Sequence, residues 1–284
     1  MKVAVVSSRT SLVFGERVID AERASGGAVP ADPAAMFVAW PALLAVAARI
    51  EREGVPQDAP ALDYGALDRP VPVPLQAFGI GLNYADHAGE SAMALPDRPL
   101  VFPKFSSCIA GPNEPVVSGS QALDWEAELV VVIGVDCYEV SAASALSVIA
   151  GYTAGQDLSD RVVQFEGGAN AQFGLGKSAP GFGPVGPWVV SADELGTAGG
   201  LDIRCDVDGV TKQSSNTKHL IFDVPALVEY LSHRVRLRAG DLIFTGTPAG
   251  VGMGRNPREV LRPGSRIDTA ISGIGTLTTR IAGR

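Results

Sequence analysis

The run Leu129–Val135 is apolar at every position but Gly134, and four of its first five residues are β-branched. Such a run predicts a strand buried on both faces, so the chain must supply a packed layer on each side of it. The residues leading into it are Asp124-Trp125-Glu126-Ala127-Glu128. Side chains alternate along a strand, so Glu126 and Glu128 share one face, about 6.5–7 Å apart. Two carboxylates at the threshold of a buried strand repel each other and lose solvation unless positive charge lies between them. A divalent cation meets that need, and oxygen-only ligation selects Mg²⁺, Mn²⁺ or Ca²⁺ over Zn²⁺. Two solvated glutamates at an exposed strand end are the alternative.

The rest of the chain fits a layered, strand-rich body. Of 284 residues, 46 % are hydrophobic and 19 % charged, which excludes disorder and permits a dense core. The 33 Gly and 20 Pro point to many turns between short strands. Beyond Leu129–Val135, strands are expected at Met1–Val6, Arg17–Asp20, Trp188–Ser191, Leu201–Val207, Leu242–Thr245, Arg266–Ser272 and Thr276–Ile281, with Asp208-Gly209 and Gly273 at hairpin positions. Helices are expected from Asp32-Pro33 onward to a stop at Gly54, at Ala142–Ala150, and at Val224–Leu231. Alternating Pro70, Pro72 and Pro74 enforce an extended connector. The reading is an α+β, β-rich chain with a small N-terminal α+β domain over residues 1–70 and a larger domain over 71–284.

Charge and cysteines narrow the setting. Thirty-one acidic against 23 basic side chains give a net charge of −8, with no basic block, which excludes nucleic acid and anionic membranes as partners. No stretch is long and apolar enough to span a bilayer, and no leader is recognisable. Cys108, Cys137 and Cys205 are scattered, as in a reducing cytoplasm, which is the expected compartment.

Two further constellations carry chemistry. Asp157 closes the passage Gly151–Asp157, and Glu-x-Glu with a distant Asp makes a minimal carboxylate set that leaves cation positions open. Arg161 follows and stands to meet a substrate carboxylate or to neutralise Asp160. In Asn83-Tyr84-Ala85-Asp86-His87-Ala88-Gly89-Glu90, His87 and Glu90 fall three apart on one helical face. A carboxylate fixing one imidazole nitrogen makes the other a base for water; an exposed polar pair is the alternative. Lys177, amid Gly, Phe and Pro, is a candidate for stabilising an oxyanion. Gly174–Ser178 fails the phosphate-loop pattern because Ala171 stands where it needs Gly, and Gly250–Gly254 fails the dinucleotide pattern because of Pro257.

These strings, with Phe102-Pro103-Lys104, Gly176-Lys177-Ser178, Pro184–Trp188, Gly240–Gly252 and Ile271–Gly275, occur in one order across residues 77–281 and together resemble the fumarylacetoacetate hydrolase family. The resemblance implies a mixed β-sandwich roll, a homodimer, and Mg²⁺ or Mn²⁺ held by Glu126, Glu128 and Asp157. It also implies His87 and Glu90 orienting water, Lys177 steadying negative charge, and Arg161, Gln164 and Thr247 contacting substrate. The expected reaction is hydrolysis of a carbon–carbon bond in a 3-acylpyruvate-like or related β-diketo acid, a small anionic substrate whose departing carbanion needs a metal-chelated enolate as electron sink. Relatives on the same scaffold decarboxylate, isomerise or hydrate 2-oxo acids, and a non-catalytic acid-binding relative is a further alternative. Two positions depart from the family pattern: Gln156 stands where Asn is usual, and Pro180 where Asp is usual.

Overall fold

The computed structural model describes residues 1–72, 74–85, 96–168 and 170–284. The chain begins with the antiparallel strands β1 (Lys2–Val6), β2 (Arg9–Phe14) and β3 (Arg17–Asp20), followed by α1 (Ala21–Ser25) and α2 (Trp40–Glu53). Pro41 lies in the first turn of α2, where its missing N–H costs nothing, and Trp40, Leu43, Val46, Ala47 and Ile50 bury one stripe. The helix stops at Gly54, whose φ of 92° suits a residue without Cβ. Asp32-Pro33 opens only a 3₁₀ turn, Pro33–Ala35, and the long helix starts five residues later.

The strands that follow are β4 (Ala77–Gly81), β5 (Leu100–Lys104), β6 (Ile109–Ala110), β7 (Val116–Ser118), β8 (Leu123–Asp124) and β9 (Ala127–Ile133). After them come β10 (Ile149–Gln156), β11 (Ser159–Asp160), β12 (Gly183–Ser191), β13 (Asp202–Val207), β14 (Val210–Asn216), β15 (Leu242–Phe244), β16 (Arg266–Ile271) and β17 (Gly275–Gly283). Among the described residues one sheet runs β3-β2-β1-β12-β10-β9-β15-β4-β5, with β6 alongside β12, and a second runs β14-β13-β16-β17-β7. Because β1 pairs with β12, the first strands continue the large sheet.

The two sheets pack face to face, and their inner residues make the core. β9, β10 and β12 are buried at every position, as the apolar run requires as far as Ile133; the strand ends there, and Val135 is exposed. The architecture is therefore the β-rich sandwich expected. One expected helix is absent: Ala142–Val148 forms a 3₁₀ segment, and Ile149 and Ala150 already belong to β10, which returns antiparallel to β9. Pairing of Ile149 with Ile133 outweighs the helix propensity of an Ala- and Ser-rich stretch. The helix Val224–Ser232 is present, capped by Asp223, which accepts from Ala226 N–H.

Candidate metal centre

Antiparallel pairing of β9 with β10 assembles the acidic cluster. Gly155 stands opposite Glu128, Gln156 opposite Ala127, and Asp157 N–H donates to Glu126 C=O at 2.9 Å. Glu126, Glu128 and Asp157 thus face the same way, although 29 residues of chain separate the last two. One ligand oxygen from each lies within 4.8 Å of the others, and all three side chains are buried.

Among the described residues, three cations bond to this cluster and to the neighbouring Asp124. Lys177 Nζ donates to Glu126 Oε2 at 2.6 Å and to Asp157 Oδ2 at 2.7 Å. Lys104 Nζ donates to Asp157 Oδ1 at 2.6 Å and to the Lys177 carbonyl at 2.5 Å. Arg161 reaches Glu126 Oε1 through Nη2 at 2.7 Å, Asp124 Oδ2 through Nε at 2.9 Å, and Gln164 Oε1 through Nη1 at 2.8 Å. Asp124 also accepts from Trp125, Gly252 and Met253 N–H, which ties the glycine-rich loop after Thr247 to the cluster. Burial pulls the Lys104 ammonium down, but Asp157 and Glu128 beside it more than offset this and leave its pKa raised.

Among the described residues, Asp124, Glu126 and Asp157 are ion-paired by Lys104, Lys177 and Arg161, and Glu128 stands apart from these pairs. That carboxylate takes the Gly246 N–H at 2.8 Å but, among the described residues, no cation. Burial, then Asp157 and Glu126, hold its carboxyl well above the ordinary range. A buried, oxygen-only set with a charge deficit at one carboxylate is what a hard divalent ion relieves, so these residues fit Mg²⁺ or Mn²⁺.

Buried amides position this set. Gln156 Oε1 accepts from Glu126 N–H at 2.9 Å while its Nε2 donates to Thr269 Oγ1 at 2.7 Å. Gln213 Oε1 accepts from Ala127 N–H at 3.0 Å, and its Nε2 donates to Thr247 Oγ1 at 2.8 Å. Thr247 Oγ1 in turn donates to Ala127 C=O at 2.9 Å.

The structure thus brings Glu126, Glu128, Asp157, Lys177, Arg161, Gln164 and Thr247 to one region. Arg161 does not neutralise Asp160, which instead caps the short helix Arg161–Phe165 by accepting from Val162 and Val163 N–H. His87 and Glu90 lie outside the described residues. Lys104 stood in the Phe102-Pro103-Lys104 string with no role attached to it, and Gln213 carried no signal in the sequence. Lys104 lies on the face of Phe102 in β5, and nothing local indicates its acid partner 53 residues away.

The model of the fumarylacetoacetate (FAA) hydrolase C-terminal region matches residues 76–282. The chain belongs to the fumarylacetoacetate hydrolase family. A relative from Burkholderia ambifaria, carrying only the name "Putative hydrolase", is 47 % identical over 201 residues, 70 % of this chain and 71 % of its own. A fumarylacetoacetate hydrolase from the psychrophile Exiguobacterium antarcticum is 32 % identical, with a TM-score of 0.84 over the whole of both chains. A maleylpyruvate hydrolase from Sphingobium sp. SYK-6, solved with manganese(II) and pyruvate, shares the fold at 24 % identity, with a TM-score of 0.81 over all of this chain and 99 % of its own. The family's mixed β architecture is the one described above, and no helix among the described residues is long and apolar enough to cross a membrane.

Proposed function

We propose that the protein is a divalent-metal-dependent hydrolase that cleaves a carbon–carbon bond in a 3-acylpyruvate-like or related β-diketo acid, acting in the cytoplasm as a homodimer. The observation that carries this reading is the convergence of buried Glu126, Glu128 and Asp157, with Lys177 bridging two of them. Manganese and pyruvate in the maleylpyruvate hydrolase support the same reading. When bound by these carboxylates, Mg²⁺ or Mn²⁺ supplies the positive charge that draws a dicarbonyl head group and offsets negative charge developing on its oxygens.

The chain's own groups supply the rest. The Lys177 ammonium, held beside Glu126 and Asp157, stands to donate a hydrogen bond to an oxygen that gains charge as the bond breaks. Arg161, with Gln164 and Thr247, forms the polar side that would orient an anionic head group. His87 with Glu90 is assigned the water: the carboxylate fixes the imidazole, which takes the proton as oxygen attacks the acyl carbon. That proton then serves the departing carbanion.

The test is turnover of an acylpyruvate panel, with oxaloacetate included, under Mg²⁺, Mn²⁺ or EDTA, followed by loss of the diketo absorbance. Metal-dependent loss of the acylpyruvates, abolished in Glu126→Ala and His87→Ala, is expected. Turnover of oxaloacetate alone, surviving in His87→Ala, would favour decarboxylation; activity indifferent to EDTA would overturn the reading.

A further inference from the structure

Strand β5 leads away from the acidic cluster with an apolar face. Its alternate residues Lys104, Phe102 and Leu100 share one side: Lys104 bonds Asp157, the Phe102 ring lies 5.3 Å from Lys177 Nζ, and Leu100 is 41 % exposed at the far end. The neighbouring strand leaves the floor bare. In the β4–β5 register Gly79 stands opposite Phe102 and Gly81 opposite Leu100. A Cβ on Gly79 would come within 2.3 Å of the Phe102 ring, and one on Gly81 within 2.4 Å of Leu100 Cδ2, so both side chains lie flat over glycine backbone.

Aromatic rings extend this surface. Phe173 packs on Phe102 with centroids 5.7 Å apart, and Phe165 meets Phe173 edge-on at 6.5 Å. A groove of about 410 Å³ runs between β5 and residues 171–175; among the described residues, those lining it carry no charged side chain, and Gln172 is the one polar side chain there. Such a groove, bordered by the Phe102 ring that Lys177 Nζ approaches from the cluster side, lowers the free energy of an apolar tail and penalises a charged one.

We infer that the site selects 2-oxo and 1,3-dicarbonyl acids whose far end is an uncharged apolar group, laid along Phe102, Leu100 and Phe173, over those that end in a second carboxylate. This deepens the function proposed above and rests on it.

The test is calorimetric titration of the Mn²⁺-loaded protein with pyruvate, 2-oxohexanoate and 2-oxoadipate, the last two matched in carbon number. A fully buried methylene contributes roughly fourfold in affinity, so 2-oxohexanoate is expected to bind about ten- to fiftyfold tighter than pyruvate. It is also expected to bind at least tenfold tighter than 2-oxoadipate. In Leu100→Arg, and in Leu175→Arg as a second exposed position on the same groove, that last gap should shrink at least tenfold. Equal binding of the two six-carbon acids by the parent overturns the selectivity and leaves the proposed function standing, whereas binding of none of the three overturns both. Sedimentation of the variants reads the remaining occupant. Loss of a dimer in Leu100→Arg with tail preference unchanged would assign this edge to a second copy of the chain and overturn the inference.

Discussion

The ammonium of Lys104 and the carboxylate of Asp157 face each other at 2.6 Å, and neither side chain reaches solvent. Lys104 also holds the carbonyl of Lys177, so one buried cation fixes both a candidate ligand and the backbone of the lysine that bridges the cluster. Removing one partner of such a pair leaves an uncompensated charge in the interior, at a cost of about 3–5 kcal/mol. Because Asp157 keeps Lys177 at 2.7 Å, Lys104→Met is expected to lose less than that, about 1–3 kcal/mol, in urea unfolding. Adding Asp157→Asn to it should cost little more, because the carboxylate that Lys104 offset is then gone.

Gln156 acts through the backbone of Glu126. Its side chain spans from Glu126 N–H to Thr269, and the shorter Asn cannot reach both. Gln156→Asn should therefore leave a buried N–H or hydroxyl unpaired, costing about 1–3 kcal/mol. Loss of a group that orients a ligand lowers metal affinity by about 10–100-fold. Titration with Mn²⁺ in parent and variant checks the second effect, and denaturant midpoints check the first.

Glu128 gives opposite signs with and without metal. Burial, Asp157 and Glu126 raise its carboxyl pKa, so the ionised form destabilises the metal-free fold at neutral pH. Glu128→Gln keeps an acceptor for the Gly246 N–H and removes the charge. In EDTA the variant is expected to melt no lower than the parent. Mn²⁺ at a hundredfold excess over its dissociation constant should stabilise the parent by about 2.7 kcal/mol and leave the variant unmoved. Thermal scans of both proteins with and without metal decide it.

A pH effect is expected away from the cluster. Arg69 donates from Nε and Nη2 to both oxygens of Glu114, which also accepts from Gly111 N–H. The Arg69 guanidinium holds the Glu114 carboxyl below its ordinary value, against the opposing effect of burial. The folded pKa lies below the unfolded one, about 4.3, so the contribution is complete above that pH and is lost as pH falls through the depressed value. Both side chains are about two-fifths exposed, which limits it to about 1 kcal/mol or less and makes it salt-sensitive. Urea midpoints of parent and Glu114→Gln should differ above pH 5 and converge as pH falls through the depressed Glu114 value.

Much of this protein could be read locally. The alternation of Glu126 and Glu128 ahead of an apolar run follows from strand geometry, and the two-sided burial of β9, the Gly54 stop of α2 and the turn at Asp208-Gly209 are equally local. Each depends on residues a few positions apart, and backbone sterics act over that range. What tertiary structure decided involves partners brought together by sheet pairing. Asp157 joins Glu126 because β10 returns against β9, and that same pairing turned the expected helix at 142–150 into a 3₁₀ segment and a strand. Arg161 turned from its neighbour Asp160 to Asp124 and Glu126 because Asp160 was taken by the helix N–H groups. Lys104 and Gln213, silent in the chain, acquired their roles from Asp157 and Ala127, 53 and 86 residues away. A buried charge is costly unless its counter-charge is buried with it. That pairing is set by where strands lie in space, which neighbouring residues do not encode.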